Sequence, residues 1–186
     1  EIKIKNFIAD ELLKTRIFDF AFEYFNSIPL LRNINLYYTE GKKNMDFSSS
    51  MNWHRDLNHK ELIKIMYFIS DVKDENGPTN FFNKKDSKYI RYNNFPNYFS
   101  DAELAAQKIT FNQQKCLGNS GESFMLDTAK CFHMGSRSKK DRLQIIITIS
   151  PYTSKLYPFK SVHVDKHLKD FNRSLYESFK VIWKIP

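Results

Sequence analysis

Short runs rich in β-branched and aromatic residues, each closed by turn-forming residues, limit this chain to a mainly β architecture. They read as strands at Met51 to Asp56, Leu62 to Ser70, Asn80–Phe82, Lys108 to Asn112, Ser123 to Asp127 and Leu143 to Ser150. The separators Asp74-Glu75-Asn76-Gly77-Pro78 and Gly118-Asn119-Ser120-Gly121 are turn chemistry. Upstream, Asp10 to Phe25 carries Leu12, Leu13, Ile17, Phe20, Ala21 and Tyr24 at helical spacing, with Asp10 placed to cap it and Ser27-Ile28-Pro29 to end it. Asn35 to Thr39 reads as a short aromatic strand, and Gly41 to Ser50 as a polar loop. Ser100 and Glu103 form a capping box ahead of Leu104, Ala105 and Ala106. Between Asn83 and Phe99 runs a long excursion of the kind that often serves as a lid. Asp165 to Trp183 is an amphipathic helix with Leu168, Phe171, Leu175, Phe179 and Ile182 on one stripe, which suits core packing or a homo-oligomer contact. The expectation is a sandwich or jelly roll with flanking N- and C-terminal helices, not a doubly wound sheet, and a single domain over residues 1–186.

Composition narrows the class further. At 41% hydrophobic and 16% aromatic residues the chain has ample material for a core, which excludes a disordered class. No apolar run approaches the ~20 residues that span a bilayer, so no membrane partner is expected. Two cysteines, Cys116 and Cys131, are too few for a disulfide framework or a thiolate zinc site. With so few cysteines, a reducing cytoplasm is the expected location. The net charge of +8 comes from basic residues scattered along the chain, not from one block, so charge alone assigns no nucleic-acid partner.

The five histidines are separated by their neighbours. His54 lies in Trp53-His54-Arg55-Asp56, and residues at i and i+2 of a strand share a face, so His54 and Asp56 can converge on one ion. His133 lies downstream between two strand segments. Two imidazoles and one carboxylate on one side of a metal are the facial triad of non-haem Fe(II) oxygenases. His163-Val164-Asp165 repeats the His-x-Asp pattern, with His167 at i+4 from His163. It stands at a helix start with no strand after it to deliver a third ligand, so it reads as a solvated cap. His59 falls in a turn.

Taken in order, these motifs resemble the phytanoyl-CoA dioxygenase family of Fe(II)/2-oxoglutarate oxygenases. The matching features are Trp53-His54-Arg55-Asp56, the strand ending Ser70-Asp71-Val72, and Glu75-Asn76-Gly77-Pro78. Downstream follow Gly121-Glu122, Asp127-Thr128, His133-x-Gly135-Ser136, and Arg142 entering the last strand. The resemblance covers residues 36 to 150. It implies a cupin-like double-stranded β-helix with Fe(II) held by His54, Asp56 and His133, and 2-oxoglutarate and O2 as cosubstrates. It also implies a basic residue on the strand after the distal histidine, whose planar fork grips the far carboxylate of 2-oxoglutarate. Arg142 is the natural candidate and Arg137 its rival. Met66 stands where relatives carry a 2-oxoglutarate-contacting side chain, and Ser136 lies one place past a position where a serine assists.

The resulting expectation is hydroxylation of a small molecule with release of succinate and CO2. Asp56 argues against halogenation, because related halogenases leave that ligand position to chloride. Two other readings stand beside it: a non-catalytic jelly-roll module binding an anionic nucleic acid or glycan, and a zinc hydrolase. The first has no use for the triad. The second leaves Arg142 idle and lacks a general base.

Overall fold

The computed structural model describes residues 2–42, 46–56, 60–90, 98–107, 112–135, 137–152 and 168–182. Its elements are α1 (Ile2–Leu13), α2 (Ile17–Phe25), β1 (Pro29–Thr39), β2 (Ile63–Phe68), β3 (Asn80–Phe81), α3 (Lys84–Ser87), α4 (Asp101–Ala106), β4 (Gln114–Lys115), β5 (Ser123–Asp127), β6 (His133–Met134), β7 (Arg142–Pro151) and α5 (Lys169–Ile182). Two antiparallel sheets result, ordered β1-β7-β2-β5 and β4-β3-β6. A bridge between His54 and His133 extends the smaller sheet beyond β6.

Alternation along β7 sorts the two sides of the larger sheet. Ile145, Ile147 and Ile149 join Ile63 and Ile65 of β2 in a core closed by Ala9, Phe18, Ala21, Phe25, Leu168 and Leu175, so α1, α2 and α5 cover the outer face. The inner face turns toward the smaller sheet. There Met66, Phe68 and Leu126 meet Phe81, Cys116 and Cys131, and the rings of Phe81 and Phe124 lie 5.5 Å apart. Asn172 of α5 donates to the Leu31 carbonyl and accepts from the Leu31 amide, both at 2.8 Å. Its carboxamide thereby pairs with the otherwise open edge of β1, as another strand would.

Several sequence expectations shift. The N-terminal helix is two helices, and Asp10 lies inside α1 instead of capping it. Thr15 makes the break, its hydroxyl donating to Leu12 and accepting from the Ile17 amide. β1 has 11 residues, because a register shift between Leu31 and Asn33 masks its alternation in sequence. Met51 to Asp56 is not a continuous strand: Ser49–Met51 is a 3₁₀ turn, and Trp53 and His54 make single bridges. The strand expected near Lys108 to Asn112 is β4, slightly downstream, with residues 108–111 outside the described set. The capping box of α4 forms as expected. Leu168, Phe171 and Leu175 of the C-terminal stripe pack against the core of the chain. Among the described residues no helix is long and apolar enough to cross a membrane.

Candidate metal centre

The backbone itself joins the two halves of the site. His54 donates its amide to the His133 carbonyl and His133 returns the bond, both at 2.8 Å. Paired residues of a ladder point to one face, so both imidazoles turn inward, 4.3 Å apart between ring centroids. Asp56 follows on the same face, with its amide bonded to the Thr128 carbonyl at 3.0 Å. Trp53, one residue earlier, points outward and stacks on Phe82 at 4.8 Å and on Phe132 at 6.1 Å. That aromatic layer fixes the segment carrying His54 from behind.

The side-chain geometry suits a cation. His54 Nδ1 donates to its own chain at Asn52 (2.8 Å), and His133 Nδ1 donates to Cys131 (3.0 Å). A carbonyl can only accept, so each imidazole carries its proton on Nδ1 and presents the Nε2 lone pair inward. His54 Nε2 lies 3.9 Å from one Asp56 oxygen and His133 Nε2 lies 4.0 Å from the other. One ligand atom from each of the three residues lies within 4.8 Å of the other two. Burial lowers the proton affinity of both imidazoles, to about 4 for His133, so both are neutral donors at physiological pH. Burial, the largest single influence, would raise the Asp56 carboxyl, but its neighbours, Lys64 first among them and then His133, together outweigh it and hold it at about 2, so it stays ionised. Two neutral nitrogens and one carboxylate oxygen are a donor set for Fe(II), and equally for zinc.

Lys64 escaped the sequence reading. Lys64 Nζ sits 2.7 Å from Asp56 Oδ2. A signal for Lys64 was present: it is the single charged residue inside the run Leu62 to Phe68, at a position that alternation assigns to the inner face.

The Glu75-Asn76-Gly77-Pro78 turn positions Arg142. The Glu75 carbonyl accepts the Lys139 and Lys140 amides at 2.8 and 2.9 Å, and Asn76 donates to the Asp141 carbonyl at 2.9 Å. Gly77 adopts φ 61°, and a Cβ there would lie 2.7 Å from the backbone at Arg137 and Ser138, so this close approach requires glycine. The Gly77 carbonyl in turn accepts from Arg142 Nη1. Arg142 is 2% exposed and belongs to β7, on the face shared with Gln144, Ile146 and Thr148. Burial brings its pKa down to about 10, which leaves it cationic at neutral pH.

Arg137 sits elsewhere. It donates to the Met51 carbonyl at 2.8 Å and to Asp101 at 2.6 Å, and its guanidinium lies 4.0 Å over the Phe47 ring. With Trp53, Phe82 and Met134 it lines a cavity of about 330 Å³ on the outward side of the smaller sheet, away from the triad. Met66 is buried between the sheets among Phe68, Phe81 and Leu126, as a packing residue. Ser136, His59, His163 and His167 lie outside the described residues.

No family model matches the chain, and no curated protein matches it. Solved structures do share its fold. AviO1 from Streptomyces viridochromogenes Tue57 aligns with a TM-score of 0.52 at 15% identity over 80% of this chain and 63% of its own. SnoN, the non-heme alpha ketoglutarate dependent epimerase from nogalamycin biosynthesis, aligns at 0.55 with 16% identity over 83% and 60%. EctD from S. alaskensis in its apoform aligns at 0.59 with 16% identity over 81% and 56%. The chain therefore spans about three fifths of the length of these neighbours. At such identities the likeness is one of fold.

Proposed function

We propose that this chain is an Fe(II)/2-oxoglutarate-dependent oxygenase of the phytanoyl-CoA dioxygenase-like kind, hydroxylating a small molecule. The observation that carries the reading is the convergence of His54, Asp56 and His133, with both Nε2 atoms free to ligate and the carboxylate ionised. The strand order supports it: β1-β7-β2-β5 faces a second sheet that runs from the His54 bridge through β6 and β3 to β4. That interleaving supports reading the two sheets as a double-stranded β-helix. Among the neighbours, SnoN has been solved with Fe3+ and alpha ketoglutarate, and EctD with 2-oxoglutarate and 5-hydroxyectoine.

In this reading His54, Asp56 and His133 hold Fe(II) on one side. The bound metal supplies O2 activation coupled to oxidative decarboxylation of 2-oxoglutarate, releasing succinate and CO2. The chain's own residues supply placement. Arg142 receives the distal carboxylate of 2-oxoglutarate, in a position buried enough that the pair is formed away from water. Met66, Phe81, Phe124 and Leu126 make the surrounding interior apolar and exclude solvent. Tyr98, half exposed with its ring 5.2 Å from that of His54, stands where a substrate would enter.

The test is turnover without a known substrate. Purified protein with Fe(II), 2-oxoglutarate and a metabolite extract should release succinate, and the same mixture with zinc in place of Fe(II) should not. Succinate release at the no-enzyme rate across fractionated extracts would refute the reading. Metal-dependent hydrolysis supported by zinc would favour the hydrolase instead.

A further inference from the structure

Lys64 brings a cation of the chain itself against the triad. Lys64 leaves β2 on the inner face, and its ammonium lies 2.7 Å from Asp56 Oδ2, the oxygen that faces His133 Nε2 at 4.0 Å. Both partners are largely shielded, with side-chain exposures of 25% and 18%. Breaking the pair on the lysine side is costly, because the Asp56 carboxylate is short and held in place by its backbone, and loses its ion-pair partner in a largely shielded position. We propose that Lys64 is the internal counter-cation of the metal centre: it holds Asp56 in the metal-free chain and lowers the affinity of the site for divalent metals.

The argument rests on the metal reading of the triad given above and adds a sign to it. A metal ion entering between His54, Asp56 and His133 must take or share the carboxylate that Lys64 holds. If it displaces the ammonium, the lost ion pair is subtracted from metal affinity. If the two share the carboxylate, a dication and an ammonium stand within a few ångströms, and their repulsion is subtracted instead. Both routes weaken binding, so removing the charge of Lys64 strengthens it. Removing the charge also strands Asp56 in the metal-free protein, which makes the empty site less stable. Lys64 is thus a positioning residue whose loss moves metal affinity and metal-free stability in opposite directions. A merely structural lysine would lower both or neither.

The full chain, stripped with a chelator, is titrated with Mn(II) and followed by the electron paramagnetic resonance of free Mn(II). Lys64→Met should bind about tenfold tighter than wild type or more, from the removed repulsion alone. Lys64→Arg, which keeps the charge, should stay within about threefold of wild type. In the stripped proteins, Lys64→Met should melt about 5 °C or more below wild type, and saturating Mn(II) should recover most of that gap. Should Lys64→Met not fold when stripped, Lys64→Gln carries the same comparison. Mn(II) affinity that is equal or weaker in the neutral variants, or an unchanged stripped melt, would overturn the proposal while leaving the triad reading intact. Binding by Lys64→Met but not by wild type would support it in its strongest form. Mn(II) binding absent from every variant, or unaffected by His133→Ala, would overturn the triad reading and this inference with it.

Discussion

Arg142→Ala should raise the 2-oxoglutarate concentration that half-saturates the protein by about a hundredfold or more, consistent with the roughly 3–5 kcal/mol lost when one partner of a buried, hydrogen-bonded ion pair is removed. The guanidinium is 2% exposed and enters β7 from a loop anchored on the Glu75–Gly77 turn, so its position is fixed before any ligand arrives. Arg142→Lys keeps the charge without the two-pronged donor geometry and should rescue binding only in part. Arg137→Ala should leave 2-oxoglutarate binding nearly unchanged, because Arg137 is tied to Asp101 and Met51 on the outward side of the smaller sheet. Isothermal titration of 2-oxoglutarate into the metal-loaded variants separates the two. The reverse pattern would move the anchor to Arg137 and contradict the placement of the cosubstrate against β7.

Asp56→Ala should abolish turnover while the protein still folds. Asp56 supplies the single negative charge among the three ligands, and neither imidazole can replace it. Alanine also strands Lys64, but that side chain is a quarter exposed and long enough to carry its ammonium toward solvent. The expected stability loss is therefore about 1–3 kcal/mol, within the common range for a single substitution, against a complete loss of succinate release. Circular dichroism melting and a succinate assay on the same preparation give both numbers. Oxygenase activity at the wild-type level in this variant would remove Asp56 from the centre.

The convergence of His54, Asp56 and His133 was legible because its signal is local and chemical. Histidine and aspartate two residues apart share a face in any extended backbone, and the bridge between His54 and His133 needs no regular strand to bring them together. The buried place of Arg142 at the start of β7 was legible for a similar reason, since a single arginine opening a long β-branched run has one face on which to lie. What stayed hidden depends on contacts distant in sequence. Lys64 reads as an ordinary strand residue until the fold sets it against Asp56. Arg137 and Arg142 are five residues apart and similar in composition, and only the Gly77 turn, packed against the backbone between them, sends one outward and the other inward. The true length of β1 was concealed by its register shift, and the edge protection by Asn172 has no local signature at all.

Anaerobic titration of the metal-free chain with Fe(II), followed by 2-oxoglutarate, tests the central claim most directly. The predicted result is one Fe(II) per chain and, on adding 2-oxoglutarate, the weak visible charge-transfer band of a chelated ferrous centre. His54→Ala and His133→Ala should each lose that band, while His163→Ala and His167→Ala keep it. A band that survives in His54→Ala and His133→Ala, or that disappears with the histidines at 163 and 167, would contradict the account.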